Sequence, residues 1–297
     1  MTVPDLRQLR QFVTLAEHLH FGRAAAALHI SQPPLSRSIQ DLETKLGARL
    51  FERSRRKVQL TPAGGWFLEE ARQVLARLER ASRTVAGMAA GGACTLRIGF
   101  VSIADYSVLP GLLKRFKAAY PGVELALREL VTEAQLEALA SGELDLGFVL
   151  PPLPAREFDS AVVFQEKLVV ALPAQHRLAG NRRPLAVREL AEEAFVMVPR
   201  NLAAGLADIL LGLCSRAGFT PRVAQEAVQM QTVVSLVSSG LGVAIVPASL
   251  LNLGRKGVVY RPVRDAHPKL ELRLAWRREA QSAPLERFAA LAKAGAR

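Results

Sequence analysis

The stretch SQPPLSRSIQDLETKLGARLFER, residues 31–53, constrains the fold more than any other, because it joins a proline doublet to a helical pattern. Leu35, Ile39, Leu42 and Leu46 recur at helical spacing, so the segment reads as an amphipathic helix with one buried face. Prolines inside such a helix would break it. In its first turn they cost little, since the leading N–H groups have no intrahelical acceptor. Pro33 and Pro34 therefore open the helix, and Ser31 is the expected N-cap, its hydroxyl accepting one orphan N–H. Gln32, Ser36, Arg37 and Gln40 are left on the exposed face, and such side chains hydrogen-bond base edges and phosphates.

Upstream, Leu6, Leu9, Phe12, Val13 and Ala16 follow helical spacing behind Pro4 and Asp5, which predicts a helix over 5–18. FGRAAAALHI predicts a second, short helix whose Ala24, Ala25 and Ala27 permit close approach, with a turn at His29 and Ile30. Two short helices joined by a tight turn, the second polar and cationic at its start, form the arrangement that places a helix in the major groove. That pattern alone is weak, because short helical pairs are common. LFERSRRKVQLTPAG strengthens it: two β-prone runs, near 50–51 and 58–60, bracket a turn bearing Arg53, Arg55, Arg56 and Lys57. The reading is a wing whose cations reach phosphates or the minor groove and add affinity without sequence information.

Charge points the same way. The chain has 39 basic and 27 acidic residues, a net charge of +12. Residues 1–90 hold 14 basic and 8 acidic side chains, so half the excess sits on under a third of the chain and favours a polyanionic partner there. From Thr61-Pro62 onward, Phe67, Ala71, Val74, Leu78, Ala81, Val85 and Met88 alternate four and three residues apart as a heptad seam. Such a helix packs along its own domain or pairs with a second copy. Pairing is the better reading, because it sets two recognition helices on successive turns of one DNA face. AAGGAC, residues 89–94, ends it as a small-residue hinge.

Residues 95–297 alternate strand-like and helix-like runs. TLRIGFV, a helix near 107–120, VELALREL, a helix over 133–141 and LDLGFVL come first. After KLVVALP follow AFVMVP, a helix near 202–217, TPRVAQEA, a helix near 228–239 and GVAIVP. The pattern predicts an α/β region with mainly parallel sheets. It divides into two similar lobes, joined by strands near 161–166 and 258–264 and closed by LELRLAW and a terminal helix.

Enzyme chemistry finds no constellation: there is no GxSxG elbow, HExxH or Walker loop, and the GxG of SSGLGVAI follows a helix. His18, His20, His29, His176 and His267 are scattered, and Cys94 and Cys214 have neither CxxC nor ligand spacing. No catalytic set, metal or cofactor is expected. MTVPDLRQLRQF has no export-signal pattern and no apolar run spans a bilayer, so a cytoplasmic protein away from membranes is expected.

FVTLAEHLHFGRAAAALHISQPPLSRSIQDLETKLGARLFERSRRKVQLTPAG resembles the N-terminal domain of LysR-type transcriptional regulators, with SQPPLSRSI, the LE and LG landmarks, LFER and LTPAG as its most specific parts. The resemblance implies an N-terminal winged helix-turn-helix, a long linker helix and a two-lobed periplasmic-binding-protein-like α/β effector domain. Expected boundaries are 1–61, 62–90 and 91–297, with lobe I about 91–161 and 265–297 and lobe II about 162–264. It assigns Ala25 to helix packing, Gln32, Pro33, Ser36 and Arg37 to the DNA-facing helix, and Arg53 to the wing contact. Arg55, Arg56 and Lys57 join them on charge alone. It further implies double-stranded promoter DNA, a small-molecule inducer, RNA polymerase and a homotetramer built as a dimer of dimers.

Ligands of open α/β sheets sit at the carboxyl ends of strands and at helix N-termini. That rule nominates Ser102, Thr132, Arg200, Asn201 and Gln229 for the effector, although Thr132 is equally well explained as a helix N-cap. The chain looks like the aromatic-catabolism branch of the family, whose inducers include carboxylates. Where that branch often has a basic residue after the GF of the third strand, this chain has Leu150. A monocarboxylate, an aromatic acid or a less polar effector all remain open.

Overall fold

In the computed structural model the chain forms two compact units, Met1–Gly92 and Ala93–Arg297. The structure describes residues 3–53, 57–89, 94–180, 183–266, 268–280 and 282–295; Arg55, Arg56 and His267 lie outside them. No helix among the described residues is long and apolar enough to cross a membrane.

The first unit runs α1 (Leu6–His18), α2 (Phe21–Ala27), α3 (Gln32–Leu46), β1 (Phe51–Arg53), β2 (Val58–Leu60) and α4 (Pro62–Ala89). Asp5 starts α1 with a reciprocal cap: its carboxylate accepts the Gln8 N–H at 2.8 Å and the Gln8 amide oxygen accepts the Asp5 N–H at 3.3 Å. Leu19 and His29 take left-handed φ values of 47° and 54°, which turn the chain sharply after α1 and α2. Ser31 is the N-cap of α3, but its hydroxyl caps nothing. The donors that a cap side chain reaches belong to the second and third helical residues. Here those are Pro33 and Pro34, which have no N–H to offer.

Phe12, Leu15, Leu35, Ile39 and Leu42 are fully buried. Phe12 stacks on Phe51 at 5.4 Å and on Phe67 at 5.1 Å, so one ring ties α1 to both the wing and α4. Glu43 Oε1 accepts the N–H groups of Leu50 at 2.9 Å and Phe51 at 3.1 Å, fastening the wing to the last turns of α3. Gly64 is needed where α4 passes the wing, since a Cβ there would lie 2.0 Å from the Leu50 carbonyl oxygen.

The second unit opens with β3 (Cys94–Phe100), α5 (Ser102–Asp105), α6 (Leu109–Ala119), β4 (Val123–Glu129), α7 (Thr132–Ser141), β5 (Leu146–Val149) and β6 (Phe158–Glu166). It continues with β7 (Leu168–Pro173), β8 (Ala194–Met197), α8 (Ala204–Arg216), β9 (Arg222–Glu226), α9 (Met230–Ser238) and β10 (Ala244–Pro247). β11 (Val258–Pro262), β12 (Leu270–Arg277) and α10 (Ala283–Ala294) complete it. The helix expected near 107–120 is α6, which takes Pro110 in its first turn where no N–H donor is needed, and the short α5 precedes it.

One lobe is built on a five-stranded sheet in the order β4-β3-β5-β12-β6. The other carries β10-β7-β11 and the pair β8-β9, joined by a bridge between Phe195 and Val243. These sheets are mixed, not mainly parallel: β3 runs parallel to β4 and β5, but β12 is antiparallel to β5 and β6, and β7 is antiparallel to β10 and β11. A parallel neighbour needs a helical crossover between the two strands. β12 reaches β5 and β6 only after the chain has returned from the other lobe, and it runs opposite to both. Phe288 of α10 stacks on Phe116 at 5.0 Å and meets Phe148 edge-on at 6.2 Å, so the end of the chain completes the first lobe's core. Burial pushes the Cys214 thiol up to about 11, which keeps it protonated and unreactive inside α8.

Candidate nucleic-acid interface and ligand cleft

In the first unit, α3 presents Gln32, Pro33, Arg37 and Gln40 to solvent, with Ser36 half-buried beside them. The opposite face is anchored by Leu35, Ile39 and Leu42, so the polar edge is held rigidly outward. Lys57 is exposed where β2 begins, and Arg53 closes β1 in register with Val58. Arg55 and Arg56 lie outside the described residues. Sequence reasoning missed Glu43, which positions the wing through its two accepted bonds. A carboxylate on the non-apolar side of an amphipathic helix carries no local signal for that role.

In the second unit, a cavity of about 230 Å³ lies between the lobes. Ser102, after β3, Thr132, at the start of α7, and Gln229, ahead of α9, all line it. Thr132 is not the N-cap of α7: Val131 holds that place, and Thr132 Oγ1 instead accepts the Leu150 N–H at 3.1 Å. α7, α8 and α9 all start at the cavity, and none of their N-caps, Val131, Ala203 and Gln229, makes a side-chain cap bond. Their leading N–H groups are therefore not taken by a cap side chain, unlike those of α1 and α10, capped by Asp5 and Ser282.

Arg200 and Asn201 do not line the cavity. Arg200 is 71% exposed and its Nε donates to Asp208 Oδ1 at 2.6 Å. The turn after β8 directs both residues outward, and the lining passes instead from Val198 to Leu202. The rule that ligands gather past strand ends locates the loop but not which residues of it face inward.

Two further groups shape the cleft without a sequence signal. Gln135, fully buried, donates through Nε2 to the carbonyls of Leu130 at 2.9 Å and Phe148 at 3.0 Å, holding the loop before α7 against β5. Across the lobes, Tyr106 Oη donates to Gln231 Oε1 at 3.3 Å, and Asn252 Nδ2 donates to the Tyr106 carbonyl at 2.8 Å. Burial first, then the nearby carboxylates of Glu129 and Asp105, raise the Tyr106 phenol above its ordinary value, so it remains a donor.

A winged helix-turn-helix followed by a two-lobed α/β body around a small-molecule cavity defines a ligand-responsive DNA-binding regulator. Residues 6–65 match the bacterial regulatory helix-turn-helix proteins of the lysR family, and residues 89–297 match the LysR substrate binding domain. The chain belongs to the LysR family of transcriptional regulators, which are DNA-binding proteins and not enzymes. It is 43% identical over 284 residues to the HTH-type transcriptional regulator IlvR of Caulobacter vibrioides, covering 94% of each chain. It is 39% identical over 262 residues to the HTH-type transcriptional regulator CatR of Pseudomonas putida, covering 88% of this chain and 89% of that one. Among solved structures, full-length CbnR complexed with its target DNA is similar with a TM-score of 0.71 at 29% identity, over 98% of this chain and 100% of that one.

Proposed function

We propose that residues 1–61 read promoter DNA, residues 62–90 pair two copies, and residues 91–297 hold the inducer in the interlobe cleft. Within the last, lobe I is about residues 91–161 with 265–297 and lobe II about 162–264, except that β6 stays in the first lobe's sheet as far as Glu166. Gln32, Pro33, Ser36 and Arg37 meet bases and phosphates, while Arg53, Arg55, Arg56 and Lys57 grip the backbone of the duplex. Ser102, Thr132 and Gln229 contact the effector; Arg200 and Asn201, outside the cavity lining, are left out of those contacts. The observation that carries this reading is the meeting of three polar residues, nominated from three separate segments, around one cavity.

The working assembly is a cytoplasmic homotetramer, a dimer of dimers, that engages RNA polymerase at the promoter. Inducer binds one arrangement of the lobes better than another, and only that difference in affinity can move the DNA-binding units. An aromatic or organic acid is the effector class favoured by the resemblance to the family's aromatic-catabolism branch.

The test separates the two surfaces. Arg37→Ala weakens operator preference, whereas Lys57→Ala weakens binding to all sequences and lowers the salt slope by about one. Ser102→Trp fills the cavity, abolishing the inducer response while operator affinity stays at the wild-type level. Intact discrimination in Arg37→Ala, or intact induction in Ser102→Trp, overturns the corresponding assignment.

A further inference from the structure

Ser102 and Gln229 line the cavity from opposite lobes, and each stands close in sequence to one end of an interlobe hydrogen bond. Tyr106 follows Ser102 by about one helical turn, and Gln231 lies just beyond Gln229 at the start of α9. Tyr106 Oη donates to Gln231 Oε1 at 3.3 Å, yet neither residue belongs to the cavity lining. The bond therefore ties the two walls together from outside and leaves the cavity clear. Gln231 is exposed, and a hydrogen bond open to water is worth little alone, which suits a contact that must break and re-form.

A second bond reaches the same tyrosine. Asn252 Nδ2 donates to the Tyr106 carbonyl at 2.8 Å from the last turn of a 3-10 helix, Ala248–Leu253. The other end of that helix is fastened where the chain crosses between the lobes. There the Ala248 N–H donates to the Lys167 carbonyl at 3.0 Å, and the Ser249 hydroxyl donates to Glu166 Oε1 at 3.0 Å. Glu166 ends β6 in the first lobe's sheet, and Leu168 opens β7 in the second. The 3-10 helix is thus a strut running from the crossover strand to Tyr106. A strut fixed at a pivot moves least there and most at its far end, where Asn252 meets Tyr106.

We propose that Tyr106 is a positioning residue: its bonds to Gln231 and Asn252 latch the two lobes together and set the distance between Ser102 and Gln229 across the cleft. The statement about Ser102 and Gln229 rests on the cleft being the effector site, whereas the latch does not. Breaking the latch lets the lobes part about the crossover strands. An effector spanning the cleft then meets a smaller fraction of competent protein and binds more weakly by that fraction.

Hydrogen exchange of the full-length protein, followed by mass spectrometry with no ligand added, tests the latch. Tyr106→Phe removes one oxygen and is expected to speed exchange about two- to tenfold in peptides covering residues 102–107, 229–232 and 249–253. Peptides from β3 and α8 are expected to keep the parent rates. Gln231→Leu is expected to match Tyr106→Phe, and the two changes together to be no faster than either alone, since both remove the same bond. Asn252→Ala is expected to loosen the same three segments. Asn252 is exposed, so that variant carries the test should Tyr106→Phe fail to melt cooperatively.

Parent-like exchange in a folded Tyr106→Phe overturns the latch. So do additive effects in the double variant, or an acceleration spread evenly over both lobes, which would mark a general loss of packing. If the exchange pattern is as expected but induction survives Ser102→Trp, the latch stands and only the statement about Ser102 and Gln229 falls with the cleft reading.

Discussion

Thr132 Oγ1 accepts the N–H of Leu150 at 3.1 Å, so a side chain at the first turn of α7 closes off the backbone just past β5. Leu150 is buried, and its N–H loses this acceptor when that oxygen is removed. Thr132→Val should destabilise the effector unit by about 1–3 kcal/mol, the cost of leaving a buried donor unsatisfied. Thr132→Ser retains the acceptor and should stay within about 1 kcal/mol of the parent. Chemical denaturation followed by circular dichroism distinguishes them; equal stabilities would mean the bond contributes nothing.

Gly205, in the first turn of α8, has room for no side chain, because a Cβ would lie 2.1 Å from the Pro151 carbonyl oxygen across the cleft. Gly205→Ala must push that contact apart, at about 1–3 kcal/mol for overpacking. We expect a lower melting temperature together with weaker inducer response and unchanged DNA binding. A variant with normal induction would show that the lobes need not approach this closely.

Glu166 ends β6, and its carboxylate accepts both the N–H and the hydroxyl of Ser249. Burial raises its pKa above the ordinary 4.5, outweighing those two bonds. A group raised in the folded state supports folding while protonated, and that support is lost as pH rises through its folded value. Glu166→Gln keeps an amide in place of the ionising acid. Its stability relative to the parent should therefore increase from pH 4 towards neutrality, as measured by urea midpoints across that range. A pH-independent difference would mean the folded pKa is not raised.

Along α4, Val74, Leu78 and Val85 are 47%, 37% and 64% exposed, three members of the heptad stripe left open to solvent within this chain. Burying one such side chain is worth about 1.5–3 kcal/mol. Leu78→Glu combined with Val85→Glu should therefore raise the dimer dissociation constant by about a hundredfold or more. Sedimentation equilibrium reads the loss directly. An assembly of unchanged mass would place the self-association surface elsewhere.

The first unit was largely legible in the sequence because its signals are local: the helical spacing of Leu35, Ile39 and Leu42, the prolines of α3 and the short runs of the wing. Ser31 shows the limit of such rules, since the cap residue and the prolines each obey a preference but cannot both use the same N–H groups. In the second unit the loops that bring Ser102, Thr132 and Gln229 to the cleft were readable from strand ends. Which side chains face inward was not. Arg200 turns out to Asp208 while Leu202 turns in, and that choice depends on how the lobes meet, many residues apart in sequence. The antiparallel placement of β12 was hidden for the same reason, because nothing within LELRLAW says that its neighbours are β5 and β6.

The first lobe is completed by the last strand and helix of the chain, with β12 inserted between β5 and β6 and Phe288 packed on Phe116 and Phe148. A ribosome makes these pieces after every strand of the second lobe has been synthesised. Domains tend to fold as they are synthesised, from the N-terminus onward. The helix-turn-helix unit and the second lobe therefore have all their parts while the outer edge of β5 and the strand β6 still wait for β12. Nascent chains halted before residue 270 would expose that unfinished sheet edge to chaperones, and a premature stop near the end of the message removes a core wall and not a dispensable tail.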